Sequence, residues 1–161
     1  MRSREPRRAA AHGLALAVLG AAGLAGSGCG QQSTPPLSAL CEQSQATIAQ
    51  ALARAPARVV LHDGTTLSQC ARNASDDADF ETVGSIFVAV ADTLARSVPR
   101  SNAAALQLGY LVGAVQKGTA ASDGVDYELV HRLQNAAGPG GPPADRNAPY
   151  QQGLAAGARD G

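Results

Sequence analysis

The sequence predicts an all-α protein: a small bundle of about four main helices and one short helix, stapled by one disulfide and followed by a disordered C-terminal tail. Three observations predict this class. Apolar residues recur at three- and four-residue steps in four stretches between residues 37 and 137, which is the spacing of a helix face. Prolines and glycines separate these stretches. Aromatic residues make up only 3% of the chain, so we expect a core of small aliphatic side chains.

The first 28 residues have the order of a signal peptide. An apolar run from Leu14 to Ala25 and the small residues Gly26 to Gly28 follow a leader with four arginines, namely Arg2, Arg4, Arg7 and Arg8. The run is shorter than the 18 or more apolar residues typical of a membrane-spanning helix. We therefore expect export by general secretion and removal of residues 1–28.

The end of this leader resembles a bacterial lipoprotein signal. In that family a Leu-Ala-Gly-like box precedes a cysteine that is acylated and becomes the new N-terminus. Here Leu24, Ala25 and Gly26 stand before Cys29, two residues out of step with that box. The resemblance implies lipidation at Cys29, with residues 29–36 as a linker between the lipid and a helical domain at 37–137. A secreted or periplasmic soluble protein is the alternative.

The number of cysteines supports the lipidated form. The chain has three, and if Cys29 carries lipid, Cys41 and Cys70 remain as an even pair. Outside the cytosol such a pair predicts a disulfide. Closing a loop of about 30 residues stabilises a fold by roughly 3–4 kcal/mol in the chain-entropy model.

The helices of the domain follow in order. The first is expected from Leu37 to Pro56, and a short one opens at Thr66, where Gln69 completes a capping box. An apolar stripe from Phe80 to Val98 predicts the third. The fourth, from about 102 to 117, is apolar on all sides and therefore central, and the last spans 125–137.

Glycine occurs in two parts of the chain for which the sequence predicts opposite structures, an ordered helix contact and a disordered tail. Gly109 and Gly113 share one face of the central helix, a spacing that predicts close packing within the molecule rather than a partner interface. Residues 138–161 begin Gly-Pro-Gly-Gly-Pro-Pro, a composition too poor in apolar groups to offset the entropy of ordering. They are predicted to be a disordered tail, apart from a frayed helical turn between 150 and 158.

Charge excludes one class of partner. The leader holds four of the 13 basic residues and one of the 13 acidic residues, which leaves nine against twelve and a net charge of −3. The nine positive charges are scattered singly along the sequence. We therefore expect no nucleic-acid binding and no polybasic membrane contact, so that a lipid anchor is the expected membrane attachment.

Few residues are candidates for chemistry. His62 and Asp63 stand in a turn and His131 on the outer face of the last helix, and they are ligand candidates at most. The acidic residues near Asp76 are read as helix caps rather than calcium ligands. No familiar catalytic motif, metal ligand set or cofactor loop occurs. The sequence thus favours a non-catalytic binding or structural module with an envelope protein partner; the alternatives are a small ligand- or metal-binding domain and an envelope hydrolase.

Overall fold

The structure is a computed structural model, which describes residues 35–74, 76–121, 125–138 and 144–161. Six α-helices lie in these ranges: α1 (Gln45–Leu52), α2 (Leu67–Asn73), α3 (Asp77–Ser97), α4 (Asn102–Thr119), α5 (Val125–Ala136) and α6 (Ala144–Asp160). A 3-10 turn, Val98–Arg100, joins α3 to α4. The described residues contain no strand, so the all-α prediction is confirmed. The predicted signal peptide, Cys29 and most of the linker lie outside the described residues.

The first helix is shorter than the sequence predicts. It begins at Gln45, where the Ser44 hydroxyl accepts a hydrogen bond from the backbone N–H of Thr47 at 3.3 Å. In the segment before it, the Ser38 hydroxyl accepts from the N–H of Leu40 at 3.2 Å and donates to Asp63 at 2.6 Å, and the Ser38 carbonyl accepts from the N–H of Cys41 at 2.9 Å. Side-chain hydrogen bonds of this kind favour turns over helix.

The disulfide joins this turn segment to α2. Cys41 pairs with Cys70, with 5.5 Å between their Cα atoms, and both residues are fully buried. The predicted capping box at the start of α2 is present: the N–H of Gln69 donates to the Thr66 hydroxyl, and the Gln69 side chain accepts from the N–H of Thr66. A helix of seven residues is unstable alone, so the disulfide and the cap hold it in place.

The third and fourth helices match their predictions. Asp76 caps α3 by accepting from the N–H of Asp79 at 2.9 Å, which accounts for the acidic residues at that helix start. α4 is buried on almost every side and forms the centre of the domain. Its Tyr110 is fully buried, and the phenol oxygen accepts a hydrogen bond from the N–H of Val59 at 3.0 Å.

The prediction of a disordered tail is wrong for residues 144–161. They form α6, which packs along α4 with both helices running in the same direction. A Cβ atom at Gly109 would collide with the backbone of Tyr150, and one at Gly113 with the backbone of Leu154. The prediction of close packing by these two glycines within the molecule is confirmed, and their neighbour is the segment expected to be disordered.

The correction has a physical reason. Glycines of α6 contribute to the same interface, because a Cβ at Gly153 would collide with the backbone of Leu106 and one at Gly157 with that of Tyr110. Because these glycines have no side chains, the two helix backbones come into contact at their positions. Dispersion contacts between the backbones there replace the burial of large apolar groups. The glycines of residues 144–161, which predicted disorder by composition, here form the face of α6 that contacts α4.

Polar contacts fix both ends of α6. At its start the Arg146 guanidinium donates to the carbonyls of Val98 and Pro99 and, at 2.9 Å, to the side-chain oxygen of Asn102. At its end the Ser68 hydroxyl donates to the carbonyl of Gly161 at 2.5 Å. α6 is therefore an integral part of the domain.

Candidate ligand-binding groove

An open groove of about 650 Å³ lies between α3 and α5. Phe80, Gly84 and Val88 line it from α3 at four-residue spacing, which places them on one face of that helix. Leu129 of α5 lines the other side, and a Cβ atom at Gly84 would lie 3.6 Å from its Cδ1 atom. These residues make the floor of the groove apolar.

The rim of the groove carries charge. Glu81 and Asp92 on α3 and Glu128 and Arg132 on α5 line it, and all four are exposed. The Arg132 guanidinium donates to Glu128 at 2.8 Å, and this hydrogen bond lowers the pKa of Glu128 from its ordinary value of 4.5. Within the described part of the chain, Glu81 and Asp92 have no ion-pair partner. The rim is therefore net negative at neutral pH.

The groove has the chemistry of a binding site. Its hydroxyl group, on Ser85, donates to the backbone carbonyl of Thr82 at 2.9 Å rather than to a side-chain base. A serine nucleophile needs a base within hydrogen-bonding distance. An apolar floor removes apolar groups of a ligand from water, and the acidic rim attracts a positive charge beside them.

The predicted ligand candidates His62 and Asp63 lie elsewhere, in the turn before α2. The His62 side chain is exposed at the edge of a small pocket that Arg54 also lines. Asp63 accepts hydrogen bonds from the Ser38 hydroxyl at 2.6 Å and from the N–H of Thr65 at 3.0 Å, and these bonds, the first above all, lower its pKa. Asp63 therefore has a structural role in joining the segment before α1 to this turn.

His131 is also separate from the groove. It lies exposed on α5, as expected, where its ring stacks on that of Tyr127 with 6.2 Å between centroids and its Nδ1 lies 3.1 Å from the amide nitrogen of Asn135. The structure does not bring it together with His62 and Asp63. Among the described residues, no three side chains of the types that bind metals are grouped closely enough to hold an ion.

Comparison of the chain with protein-family models, with curated proteins and with solved structures finds no match. Across the described residues, every helix is too short or too polar to cross a membrane. The groove is not predictable from the sequence pattern, because its two walls come from helices that the pattern locates along the chain but does not pair. Gly84 gives no signal of the groove either, because a Cβ atom there would make an ordinary contact of 3.6 Å with Leu129 rather than a close approach.

Proposed function

We propose that this protein is an exported, lipid-anchored module of the cell envelope that binds a protein partner without catalysis, through the groove between α3 and α5. The observation that carries the proposal is the groove itself, an open apolar floor beneath a net negative rim. Phe80 and Val88 are only partly buried in this floor, so apolar groups of a partner that cover them would be removed from water together with them.

The cysteines support the location. Disulfides persist in oxidising compartments outside the cytosol, and the pairing of Cys41 with Cys70 leaves Cys29 as the free sulfur for a lipid. Cys29 directly follows the predicted signal peptide, which is where the lipoprotein signals that it resembles carry the acylated cysteine. The membrane would then be reached through the anchor, in keeping with the resemblance to lipoprotein signals.

The shape and charge of the groove favour one kind of partner. Two helices that flank an apolar floor accommodate a third helix, which inserts apolar residues at three- and four-residue spacing. Val88 and Leu129 would contact those residues, while Glu81 and Asp92 would face basic side chains. The partner we propose is therefore an amphipathic, basic helix of another envelope protein.

A small ligand is the second candidate, favoured by the volume of the groove. Cavities of roughly 300–1,000 Å³ are typical of small-molecule sites, and this one, at about 650 Å³, falls inside that range. The apolar floor and acidic rim of the groove would select a ligand that carries a positive charge beside apolar groups. An envelope hydrolase has less support, because the Ser85 hydroxyl has a backbone carbonyl rather than a base as its acceptor.

Site-specific photocrosslinking in intact cells tests the groove. A photoreactive residue at Ser85, which lines the groove, should give one discrete adduct, and the same residue at exposed Ala103 on α4 should give none. The charge reversal Asp92→Lys should abolish the adduct, whereas Glu42→Lys, an equal reversal at an exposed residue outside the groove, should leave it unchanged. Equal adducts at both positions, or none at either, would refute a protein partner in the groove. Stable binding of a cationic apolar dye in preference to a neutral one, again sensitive only to Asp92→Lys, would favour the small ligand.

Membrane attachment needs a separate test. Intact mass spectrometry of the native protein should show residues 1–28 removed and a fatty-acyl adduct, and cell fractionation should place the protein with membranes. Cys29→Ala should release the domain from that fraction or trap the precursor, with Gln152→Ala, at an exposed residue, as a processing-neutral control. A native mass without an acyl adduct would refute the anchor and leave the groove proposal standing.

A further inference from the structure

Folding gathers positive charges that the sequence keeps apart. Four of the nine basic residues that follow the leader line one shallow basin of about 480 Å³, namely Arg58, Arg72, Lys117 and Arg159. The basin lies where α2 meets the ends of α4 and α6. The expectation of singly scattered charges, correct for the linear sequence, is thus wrong for the folded domain.

Two of the four cations are free to bind. Arg58 and Arg72 are exposed, and neither has a hydrogen-bond or ion-pair partner among the described residues. The other two are partly engaged: the Lys117 ammonium donates to the carbonyl of Arg159 at 2.8 Å, and the Arg159 guanidinium pairs with Asp160 at 2.7 Å. Among its side chains, four cations stand against one carboxylate, so the lining of the basin has an excess of positive side-chain charge.

Compensation of helix dipoles accounts for only part of this charge. Arg72, Lys117 and Arg159 each stand in the last turn of a helix. A helix C-terminus carries about −0.5 of a charge, so three of them offset at most about −1.5. The three helix ends therefore leave part of the positive side-chain charge uncompensated, in a domain whose other charged residues are mostly acidic.

We propose that this basin binds a phosphate group, either of a soluble phosphomonoester or of an anionic phospholipid headgroup. Two unpaired guanidiniums offer the forked N–H donors that match phosphate oxygens, and a compact cation completes the charge. Gln69 adds a donor at the edge, because its side-chain oxygen is occupied by the N–H of Thr66 and its amide NH₂ is left for a ligand. A lone carboxylate would satisfy one guanidinium, whereas a phosphate can engage both.

The basin is independent of the groove. None of its lining residues lines the groove, which is formed by α3 and α5. Failure of either proposal therefore leaves the other standing. If the headgroup is the ligand and the protein is lipid-anchored, the basin would hold this face of the domain against the bilayer.

Calorimetric titration of the purified full-length mature protein at low ionic strength tests the proposal. The probes are inorganic phosphate, short-chain phosphatidylglycerol below its micelle concentration, and the matching short-chain phosphatidylcholine. We expect one of the two anionic probes to bind and the zwitterionic one not to bind. Preference for inorganic phosphate identifies a soluble phosphomonoester as the source, and preference for phosphatidylglycerol identifies a headgroup.

Two matched double variants test whether the probe binds in the basin. Arg58→Gln/Arg72→Gln removes two exposed charges there and should weaken the bound probe at least about tenfold, since each charge-assisted hydrogen bond is worth more than a neutral one. Arg96→Gln/Arg100→Gln removes the same charge from an exposed region outside the basin and should change affinity less than about twofold. Both variants should keep the wild-type melting temperature. Absence of binding by both anionic probes, or equal weakening in the two variants, would overturn the proposal.

Discussion

The interface between α4 and α6 makes the sharpest prediction about the fold, through the substitution Gly157→Ala. The added Cβ would lie 2.8 Å from the backbone nitrogen of Ala114 and 2.9 Å from the carbonyl carbon of Tyr110, and would collide with the carbonyl oxygen of Tyr110. All three atoms belong to the backbone, so no side-chain rotation relieves the clash. Reaching an ordinary contact of 3.4 Å at the Ala114 nitrogen requires a shift of at least 0.6 Å.

The magnitude follows from two opposing effects. Overpacking of a tight core costs about 1–3 kcal/mol, and the upper end applies because a whole helix must move. Replacing glycine by alanine inside a helix returns about 1 kcal/mol. We expect a net loss of about 2 kcal/mol in the free energy of unfolding, which corresponds to a fall of roughly 6–10 °C in Tm for a domain of this size.

Gly84→Ala is the matched control, since it makes the same exchange in the middle of another helix. There the Cβ would lie 3.6 Å from the nearest neighbouring side-chain atom, an ordinary contact, so the variant should gain about 0.5–1 kcal/mol. Urea denaturation with the disulfide intact measures both. If Gly157→Ala is as stable as the wild type while Gly84→Ala behaves as expected, the close packing of α6 on α4 is wrong.

Three further predictions concern single contacts. Tyr110→Phe leaves the buried N–H of Val59 without its acceptor and should lower the free energy of unfolding, measured by urea denaturation, by about 1–3 kcal/mol. Tyr127→Phe, at a residue that is 73% exposed, should leave it unchanged, and equal stabilities of the two variants would contradict the buried hydrogen bond. Because the folded pKa of Asp63 lies below its ordinary value of 3.8, the ionised carboxylate stabilises the fold above about pH 4, and this contribution is lost as the pH falls through the folded pKa. Asp63→Asn should therefore lower Tm at pH 7, and this difference should shrink as the pH falls below about 4, whereas a difference that is constant with pH would show that the charge is not responsible. Reduction of the disulfide should lower stability by about 3.5 kcal/mol, the chain-entropy value for a loop of this length, and an unchanged denaturation midpoint in reductant would disprove its stabilising role.

Sequence patterns predicted the elements whose signals are local. The stripe on α3, the apolar α4 and the capping box at Thr66 depend on residues within a few turns of one another, so period and spacing were enough. The cysteine count predicted the pairing of Cys41 with Cys70 for a similar reason, since only one even combination remained beside Cys29.

The features that were missed depend on distant neighbours. α6 is stabilised by glycines that meet the glycines of α4, and composition alone cannot distinguish such a contact face from a flexible segment. The turn segment before α1 includes Ser38, whose hydroxyl donates to Asp63, a partner 25 residues away. The groove and the basin each require helices whose pairing the patterns do not specify, so neither was predictable from charge or hydropathy along the chain.

The disulfide connects the proposed cellular location to the proposed phosphate site. α2 supplies Arg72 and Gln69 to the basin, and its Cys70 is the covalent link to the segment before α1. A seven-residue helix has little stability of its own, so the positions of these side chains depend on the disulfide and on packing against α4. The groove uses α3 and α5, neither of which carries a cysteine. The basin should therefore depend on the oxidised disulfide more than the groove does, so that reduction should weaken phosphate binding more than binding in the groove.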